Sequence, residues 1–334
     1  MRRFILTISA FTALAHCAPA APGAGAPGAQ TDAGASLAED ASGGSVEAGP
    51  PSAIEAGAEA GIETPTEAGV DGNAGAHLDA GDAAPPIAAS PYVPAGYKLV
   101  LSDEFNATTL DQGRWMTQYP CGCTKLNDEI EHYTNDGSNL HLKNGTMVIE
   151  ADEDLSSGVF TGQASFKYGY FELRAQMGVS QGAWPAYWLT SDSRWPPEWD
   201  IFEVVSTPVN VYQTPHPISG DTATCEVANN EIAGLVDVNT GFHIYGFQWT
   251  ETDITWWIDG KQTQHCTVDS SSSDDFMWIQ HNLAIGGSWP GNPDSTTSWP
   301  LTLTIDYSRV YQDATGQINM HAASGNLVDP DSPQ

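Results

Sequence analysis

Basic residues are scarce in this chain. Its 334 residues include 11 Lys and Arg against 42 Asp and Glu, which gives a formal net charge of −31. After residue 90, where 31 of the acids and 9 of the bases lie, the net charge is still −22. A surface this acidic repels phosphate backbones and anionic lipids. The composition therefore argues against nucleic acid or an anionic membrane as a partner, and suits a neutral or cationic ligand, or solubility alone.

A membrane-spanning run is missing at the N-terminus. The apolar stretch at 4–15 is short and follows Arg2 and Arg3, which is typical of a secretory signal. Residues 14–17 approximate a bacterial lipoprotein cleavage box, with Cys17 as the lipidated residue, while the small residues at 18–20 offer an ordinary cleavage site instead. We expect a signal at 1–17 and an exported protein, on the bacterial cell surface or extracellular, with a lipid anchor through Cys17 as one possibility.

Large aromatic residues and the strong bases Lys and Arg are absent from 18–90. This segment contains no Lys, Arg, Phe, Trp or Tyr and consists of Ala, Gly and Pro with scattered acids. Such a composition buries too little apolar surface to offset its ordering entropy. We predict a disordered spacer there, with a repeat domain as the rival interpretation.

Cysteine is also sparse. Besides Cys17 there are four, Cys121, Cys123, Cys225 and Cys266, which allow two disulfides in an oxidising compartment. Cys121 and Cys123 are close neighbours in sequence, so we expect each to bridge to Cys225 or Cys266. Zinc is the alternative for Cys-Gly-Cys, although the supporting Cys and His spacing is missing.

Helical periodicity is missing from the segment that can form a core. All 11 Trp fall between Tyr92 and Gln312, and strand alternation is frequent there. We predict an all-β domain at 91–312, a β-sandwich jelly roll with a concave cleft, followed by a C-terminal tail at 313–334. In 166–177 we expect one core face and one aromatic and polar face that lines a wet groove. Asp259-Gly260 predicts a hairpin turn.

Three acids stand out in a segment that otherwise resembles a β-strand, Glu198-Trp199-Asp200-Ile201-Phe202-Glu203. Like charges on one face of a strand repel, so such a cluster indicates a metal site or acid–base chemistry. Strict alternation puts Glu198 and Asp200 on one face and Glu203 on the other. A β-bulge at Ile201 or Phe202 would return Glu203 to the first face.

With that bulge the acids suit a retaining glycosidase. Two glutamates leaning inward would bring their carboxyl groups to about 5 Å, with one as nucleophile and the other as acid. Asp200 between them would separate their pKa values. The alternatives are a calcium site or the guard charges of an edge strand. Trp184, Trp188, Trp195 and Trp199 surround the acids, and flat rings beside carboxylates suit a sugar; alternation predicts that Trp199 faces the core.

Several ordered blocks, together with this hexapeptide, resemble glycoside hydrolase family 16, the laminarinase- and lichenase-like jelly rolls. The resemblance covers nearly all of 97–312. Besides the longer, bulged form of the family's Glu-x-Asp-x-(x)-Glu hallmark, which is similar to the laminarinase branch, the matching blocks are 102–105, 127–134, 170–174, 184–188, 282–291 and 306–311. Trp199 departs from the aliphatic residue usual at its position.

Carried over position by position, the resemblance implies a set of site residues. Glu198 would be the nucleophile, Asp200 its electrostatic partner and Glu203 the acid/base. The groove residues would be Trp184, Trp188, Trp195, Arg174, Glu129, His216 and Trp289, with a structural surface histidine as the alternative for His216. Glu104, Gly145 and Asp306 resemble the family's calcium ligands, with surface acids as the alternative, so a structural Ca²⁺ is possible while catalysis requires no cofactor.

The function that these features imply is a retaining endo-β-glucanase acting on β-1,3 or mixed β-1,3/1,4 glucan. We expect a polysaccharide substrate, no nucleic-acid partner and a monomer. Alternatives are another polysaccharide (agaran, carrageenan or xyloglucan), transfer to sugar acceptors, a non-catalytic glucan-binding module, or a structural sandwich with a metal site.

Overall fold

The computed structural model describes residues 89–333, except 124–125, 207–208, 233, 235 and 323–326. The predicted secretory signal, Cys17 and all of the predicted spacer up to residue 88 lie outside the described residues. The described part contains no helix long and apolar enough to cross a membrane.

Nearly all of the regular structure is β. In chain order the elements are β1 (Tyr97–Asp103), β2 (Trp115–Met116), β3 (His132–Tyr133), β4 (Leu140–Lys143), β5 (Thr146–Ala151), β6 (Ser156–Ser157), β7 (Val159–Phe166), β8 (Gly169–Gly178), β9 (Ala183–Ser191), β10 (Glu198–Ser206), β11 (Val209–Tyr212), β12 (Pro215–His216), β13 (Ala223–Cys225), β14 (Glu231–Ile232), β15 (His243–Trp249), β16 (Asp253–Ile258), β17 (Lys261–Val268), α1 (Ser270–Ser273), β18 (Met277–Ile285), β19 (Leu301–Asp313) and β20 (Met320–His321).

Two nine-stranded antiparallel sheets form the sandwich. The first, which we call the outer sheet, has the order β13-β17-β16-β15-β8-β19-β5-β4, with β1 also paired to β19. The second, the cleft sheet, has the order β14-β11-β10-β9-β18-β7-β2, with β12 added to β10 and β20 to β7. The predicted all-β jelly-roll sandwich is confirmed.

The core lies between the two sheets. On β8 the side chains of Phe171, Leu173, Ala175 and Met177 are buried in it, as alternation predicts for one face of a strand. On β10 the core side chains are Trp199, Ile201, Phe202 and Val204. Trp199 is fully buried, so the prediction that it faces the core is confirmed.

The predicted strand at 166–177 is two strands. β7 ends at Phe166, which is buried, and β8 begins at Gly169 after Tyr168, whose φ is 64°. The polar face of β8 lies on the outer sheet and does not line a groove. There the buried carboxylate of Glu172 accepts hydrogen bonds from the hydroxyls of Ser90 (2.6 Å), Tyr170 (3.1 Å) and Tyr307 (2.9 Å). Buried O–H donors, and not a ligand, satisfy this acid.

The turn at Asp259-Gly260 is where the sequence predicts it. It joins β16 to β17, and both residues have positive φ, 50° and 75°. Two consecutive positive φ values match the right-handed twist of the flanking strands, which is why Asp-Gly is favoured in such hairpins.

The disulfide connectivity is a correction. Cys121 pairs with Cys123, and Cys225 pairs with Cys266. Cys225 lies directly opposite Cys266 in the β13–β17 ladder, with Cα atoms 4.1 Å apart, so this pair is made by strand register. Cys121 and Cys123 meet across Gly122, whose φ of 67° turns the chain sharply enough to bring their Cα atoms within 5.2 Å.

Residues after 312 belong to the domain and are not a separate tail. β20 pairs with β7, and the backbone N–H of Ser102 donates to the carbonyl of Leu327. Asp329 and Ser332 are buried, and the hydroxyl of Ser332 donates to Glu104 (2.8 Å). The chain end therefore closes over the edge of β1.

Candidate active site

A β-bulge at Ile201 organises the acidic strand. In the ladder between β10 and β9, Asp200 is opposite Trp188 and Phe202 is opposite Tyr187, so Ile201 is the extra residue. Ile201 and Phe202 both point into the core. The bulge therefore returns Glu203 to the face that carries Glu198 and Asp200, and the predicted position of the bulge is confirmed.

Glu198 and Asp200 are buried, Glu203 is half-buried, and the three acids interact with one another. Burial, followed by the charge of Asp200, raises the pKa of Glu198 well above its usual range. Burial and Asp200 act in the same direction on the pKa of Glu203. A hydrogen bond joins Glu203 to Asp200, lowering the pKa of Asp200 and raising that of Glu203. This direction leaves the proton on Glu203, the state that a general acid needs.

Asp200 lies at the centre of the cluster. Burial raises its pKa to about 8, and its side chain is 4 % exposed. Nε2 of His216 lies 3.0 Å from Oδ2 of Asp200 and 3.7 Å from Oε1 of Glu198. His216 is placed there because β12 pairs with the start of β10, which sets His216 opposite Glu198.

Trp195 completes the surroundings of Glu198. Its Nε1–H donates to Oε2 of Glu198 (3.1 Å). A donor to the ionised form favours that form, and His216 acts in the same direction on the pKa of Glu198. The structure therefore brings together Glu198, Asp200, Glu203, His216 and Trp195, all of them predicted site residues.

Trp184 and Trp289 lie near Glu203, at the end of the acidic stretch opposite to Trp195 and Glu198. The Nε1–H of Trp184 donates to Oε1 of Glu203 (3.1 Å). The ring of Trp289, which is 36 % exposed, lies 5.2 Å from that of Trp184 and 4.8 Å from that of Tyr212. These three rings form an exposed aromatic rim beside Glu203. Tyr212 is a residue that sequence reasoning missed, although its position directly opposite Glu203 in the β10–β11 ladder puts it on the same face.

Trp188 lies at the site but is not an open platform. It is opposite Asp200 in the ladder, yet it is only 6 % exposed because Tyr119, Tyr133 and the Cys121–Cys123 segment pack with it. Its Nε1–H donates to Oδ1 of Asn282 (2.8 Å), and Nδ2 of Asn282 donates to the hydroxyl of Tyr133 (3.1 Å). Trp188 therefore forms part of a buried polar chain behind the acids, for which the sequence offered no signal.

The carboxylate of Glu129 is hydrogen-bonded within its own loop. Its carboxylate accepts the backbone N–H groups of Leu126 (2.7 Å) and Asn127 (2.6 Å), and it is 3 % exposed. These bonds fold the loop that packs on Trp188. They occupy both carboxylate oxygens.

Arg174 lies outside the cleft. Its β8 neighbours Leu173 and Ala175 point into the core, so Arg174 points to the opposite face of the outer sheet. There it pairs with Asp306 (2.7 Å) and stacks over Phe242. The interpretation of Arg174 as a groove residue therefore places it on the wrong face of the sandwich.

The residues predicted to bind calcium do not fit that ion as they are arranged. Both carboxylate oxygens of Glu104 are bound by the guanidinium of Arg309, at 2.8 and 2.7 Å, and Asp306 is bound by Arg174. A calcium ion needs free carboxylate oxygens and is repelled by a guanidinium at the same atoms. Gly145, at the β4–β5 turn, would contribute only backbone.

Glu198, Asp200 and His216 also bring ligand-type atoms within 4.8 Å of one another. Such a set could accept a small cation. Since the same atoms are already joined by hydrogen bonds among themselves and to Trp195, we assign them to acid–base chemistry.

Comparison with known proteins places this geometry in a family. The family profile described as "Glycosyl hydrolases family 16" matches residues 127–309, which include all three acids. The chain is 34 % identical over 241 residues to the endo-1,3-1,4-beta-glycanase EglC of Rhizobium meliloti, covering 63 % of this chain and 50 % of that protein. It is 30 % identical over 250 residues to the beta-glucanase of Rhodothermus marinus, covering 65 % and 85 %.

Solved structures agree. The laminarinase of a Flavobacterium species superposes with a TM-score of 0.55 at 29 % identity, covering 64 % of this chain and 100 % of that one. The endo-beta-1,3-glucanase of Pyrococcus furiosus has a TM-score of 0.56 at 26 % identity, covering 70 % and 100 %. The chain spans about half the length of the Rhizobium meliloti glycanases that it matches. With the profile matching more than half of its length, this chain belongs to glycosyl hydrolase family 16.

Proposed function

We propose that this protein is a retaining endo-β-glucanase that cleaves β-1,3 or mixed β-1,3/1,4 linkages. The observation that carries the proposal is the bulge at Ile201, which gathers two glutamates and an aspartate on one face of the strand between aromatic side chains. Two carboxyl groups of opposite protonation state are what hydrolysis with retention requires.

Each acid has a role set by its surroundings. Glu203, which keeps its proton, protonates the glycosidic oxygen while the carboxylate of Glu198 attacks the anomeric carbon and forms a glycosyl-enzyme. Glu203, now ionised, then takes a proton from water, whose oxygen attacks the same carbon and releases Glu198. Asp200 accepts a hydrogen bond from Glu203 and contacts Nε2 of His216. These two contacts offset the negative charge of Asp200. Glu203 gives its proton to the leaving group and regains one from water, and Glu198 is the nucleophile, so the reaction needs no cofactor.

The relatives support the choice of glucan. The relatives that the chain matches include proteins named for endo-1,3-1,4-β-glycanase and β-glucanase activity, and the superposing structures include laminarinases. The exposed rim of Trp184, Trp289 and Tyr212 offers flat apolar faces on which the C–H face of a glucose ring stacks.

Product analysis tests the proposal. Purified protein is incubated with laminarin, lichenan, agarose and xyloglucan, alongside Glu198→Gln and Glu203→Gln, with Glu226→Gln, whose side chain is 64 % exposed, as the matched control. We expect internal cleavage of laminarin or lichenan, and losses of roughly 10³-fold or more in the two site variants but not in the control.

Azide separates the two glutamates. In Glu198→Ala, azide attacks the anomeric carbon in place of the missing nucleophile and gives an α-glycosyl azide. In Glu203→Ala, azide intercepts the glycosyl-enzyme and gives the β-glycosyl azide. Full hydrolysis by Glu198→Gln would refute the mechanism.

We also propose that the protein is exported and acts as a monomer, held off the cell surface through Cys17 and the spacer at 18–90. The support is the sequence alone, a short apolar run after two arginines and then a spacer without aromatics. Cys17→Ser should release the protein from the membrane fraction. Unchanged distribution would favour an ordinary signal peptide.

A further inference from the structure

Trp256 joins the outer sheet to the acidic strand at the β-bulge. It lies on β16, its side chain is fully buried, and its Nε1–H donates to the backbone carbonyl of Asp200 (2.8 Å). Asp200 directly precedes Ile201, the extra residue of the bulge. A bulge interrupts the regular ladder, and a buried carbonyl at the interruption needs a donor from elsewhere. The donor here comes across the core, from the opposite sheet.

The indole of Trp256 is held at a second irregularity of the sandwich. The register of β16 and β17 shifts between Trp256 and Trp257, with Thr263 as the extra residue of β17. The ring of Trp256 packs against that of Phe247, with ring centroids 5.0 Å apart. Because an indole nitrogen is only a donor and this ring is closed off from water, the packing around β16 fixes the direction in which its N–H points.

The backbone N–H of Asp200 is restrained as well. It donates to the carbonyl of Thr214 (2.8 Å). The neighbouring side chain, Gln213, is buried, and its Oε1 accepts the hydroxyl of Thr263 (2.7 Å). The outer sheet therefore restrains both backbone groups of Asp200, the carbonyl directly through Trp256 and the N–H through Thr263 and Gln213.

The peptide unit between Asp200 and Ile201 determines where Glu203 points. Glu198 and Asp200 precede this unit and Glu203 follows it, so its orientation sets the separation of Glu203 from the other two acids. The hydrogen bond between Glu203 and Asp200 spans the bulge. A carbonyl released from Trp256 would turn toward another donor, and the carboxyl group of Glu203 would move with it.

We propose that Trp256 is a positioning residue for the general acid, although it lies outside the cleft. Its indole N–H holds the bulge in the shape that turns the carboxyl group of Glu203 toward the glycosidic oxygen. This role rests on the glucanase function proposed above. The ring is buried in the core between the sheets, so Trp256 acts through the backbone of Asp200 and does not touch substrate.

An activated leaving group separates positioning from stability. Dinitrophenolate leaves without a proton, whereas the oxygen of a glucan linkage needs one from Glu203. A variant with a misplaced Glu203 therefore loses activity on laminarin but keeps it on the dinitrophenyl β-glycoside of a β-1,3-gluco-oligosaccharide. A variant that is only less stable loses both activities in proportion. The quantity compared is kcat/KM, because it reports the enzyme up to formation of the glycosyl-enzyme.

Trp256→Phe removes the donor, and Trp249→Phe is the matched control. Trp249 is also fully buried on the outer sheet, its Nε1–H donates to Oγ of Ser273 (2.6 Å), and its ring also packs against the acidic strand through Trp199 (6.5 Å). The two variants lose the same atoms and differ in what the N–H held. We expect Trp256→Phe to lose about 10²-fold in kcat/KM on laminarin but no more than about threefold on the dinitrophenyl glycoside. Trp249→Phe should stay within about threefold on both substrates, and Glu203→Gln should show the selective loss most strongly.

Equal losses on the two substrates, or a Trp256→Phe pattern like that of Trp249→Phe, would overturn the proposal. Urea unfolding measures the stability of both variants under the assay conditions. If Trp256→Phe does not fold, replacing Trp256 with benzothienylalanine keeps the shape of the ring and removes only the N–H. That protein should show the same selective loss, and full activity on laminarin would refute the role. Wild-type protein that cleaves no glucan, or Glu203→Gln that keeps full activity on laminarin, would instead refute the proposed function.

Discussion

The substitution Trp184→Phe tests most directly whether Glu203 is the general acid. It keeps an aromatic ring against Trp289 but removes the Nε1–H that donates to Oε1 of Glu203 at 3.1 Å. That bond favours the ionised form of Glu203, so its loss raises the pKa of Glu203. A hydrogen bond to a charged group contributes about 1.5–3 kcal/mol, and 1.36 kcal/mol corresponds to one pKa unit, so a shift of about one to two units is expected.

The assay is the pH profile of kcat/KM on a soluble glucan. Its alkaline limb reports the acid in the free enzyme, and in Trp184→Phe this limb should move to higher pH by about one to two units. Trp257→Phe is the control, because that ring lies on the outer sheet against Tyr170 and should leave the limb unchanged. An alkaline limb that stays in place, or moves to lower pH, would refute the assignment of Glu203 as the acid held by this bond.

Two further predictions concern residues outside the cleft. Arg174→Ala should leave kcat/KM on glucan within about twofold and cost no more than about 1 kcal/mol in urea unfolding, because its half-buried ion pair with Asp306 lies on the outer face; a large loss of activity would return Arg174 to the groove. Arg309→Met should cost about 3–5 kcal/mol in urea unfolding, since it leaves the buried carboxylate of Glu104 unpaired, and Glu104→Gln in the same protein should recover most of that loss. A mild effect of Arg309→Met alone would mean that Ser332 and water satisfy Glu104.

The acidic strand could be predicted from sequence because its information is local. Period-two alternation fixes which side chains share a face, and the spacing from Asp200 to Glu203 violates it, so a bulge is the only way to gather the three acids. The structure puts the extra residue at Ile201 and buries Ile201 and Phe202 together. The Asp259-Gly260 turn is likewise local, since the backbone preferences of two residues decide it.

Three features could not be predicted from the sequence because each depends on contacts between distant segments. They are the sheet face of Arg174, the partner of Glu104 and the pairing of the cysteines. Alternation separates the two faces of a strand but does not say which sheet of a sandwich the strand joins, and Arg174 lies on the outer one. Glu104 pairs with Arg309, which is 205 residues away, and no pattern in either segment predicts this pair. The pairing of Cys225 with Cys266 is a matter of register between β13 and β17, and the sequence does not specify which short strand is added at the sheet edge.

The acids of this chain differ in what satisfies them, and that difference separates structure from chemistry. Glu172 is buried but receives three hydroxyl donors, and Glu104 is buried but receives a guanidinium. Glu198 and Asp200 are buried and Glu203 is half-buried beside them, with single donors from Trp195 and Trp184 and a histidine that is partly exposed. Burial that is only partly compensated raises the pKa of a carboxyl group, and in this cluster the hydrogen bond between Glu203 and Asp200 leaves the proton on Glu203. Folding alone would favour the first arrangement, and the second is the one expected of carboxyl groups that take part in chemistry, as proposed above for these acids.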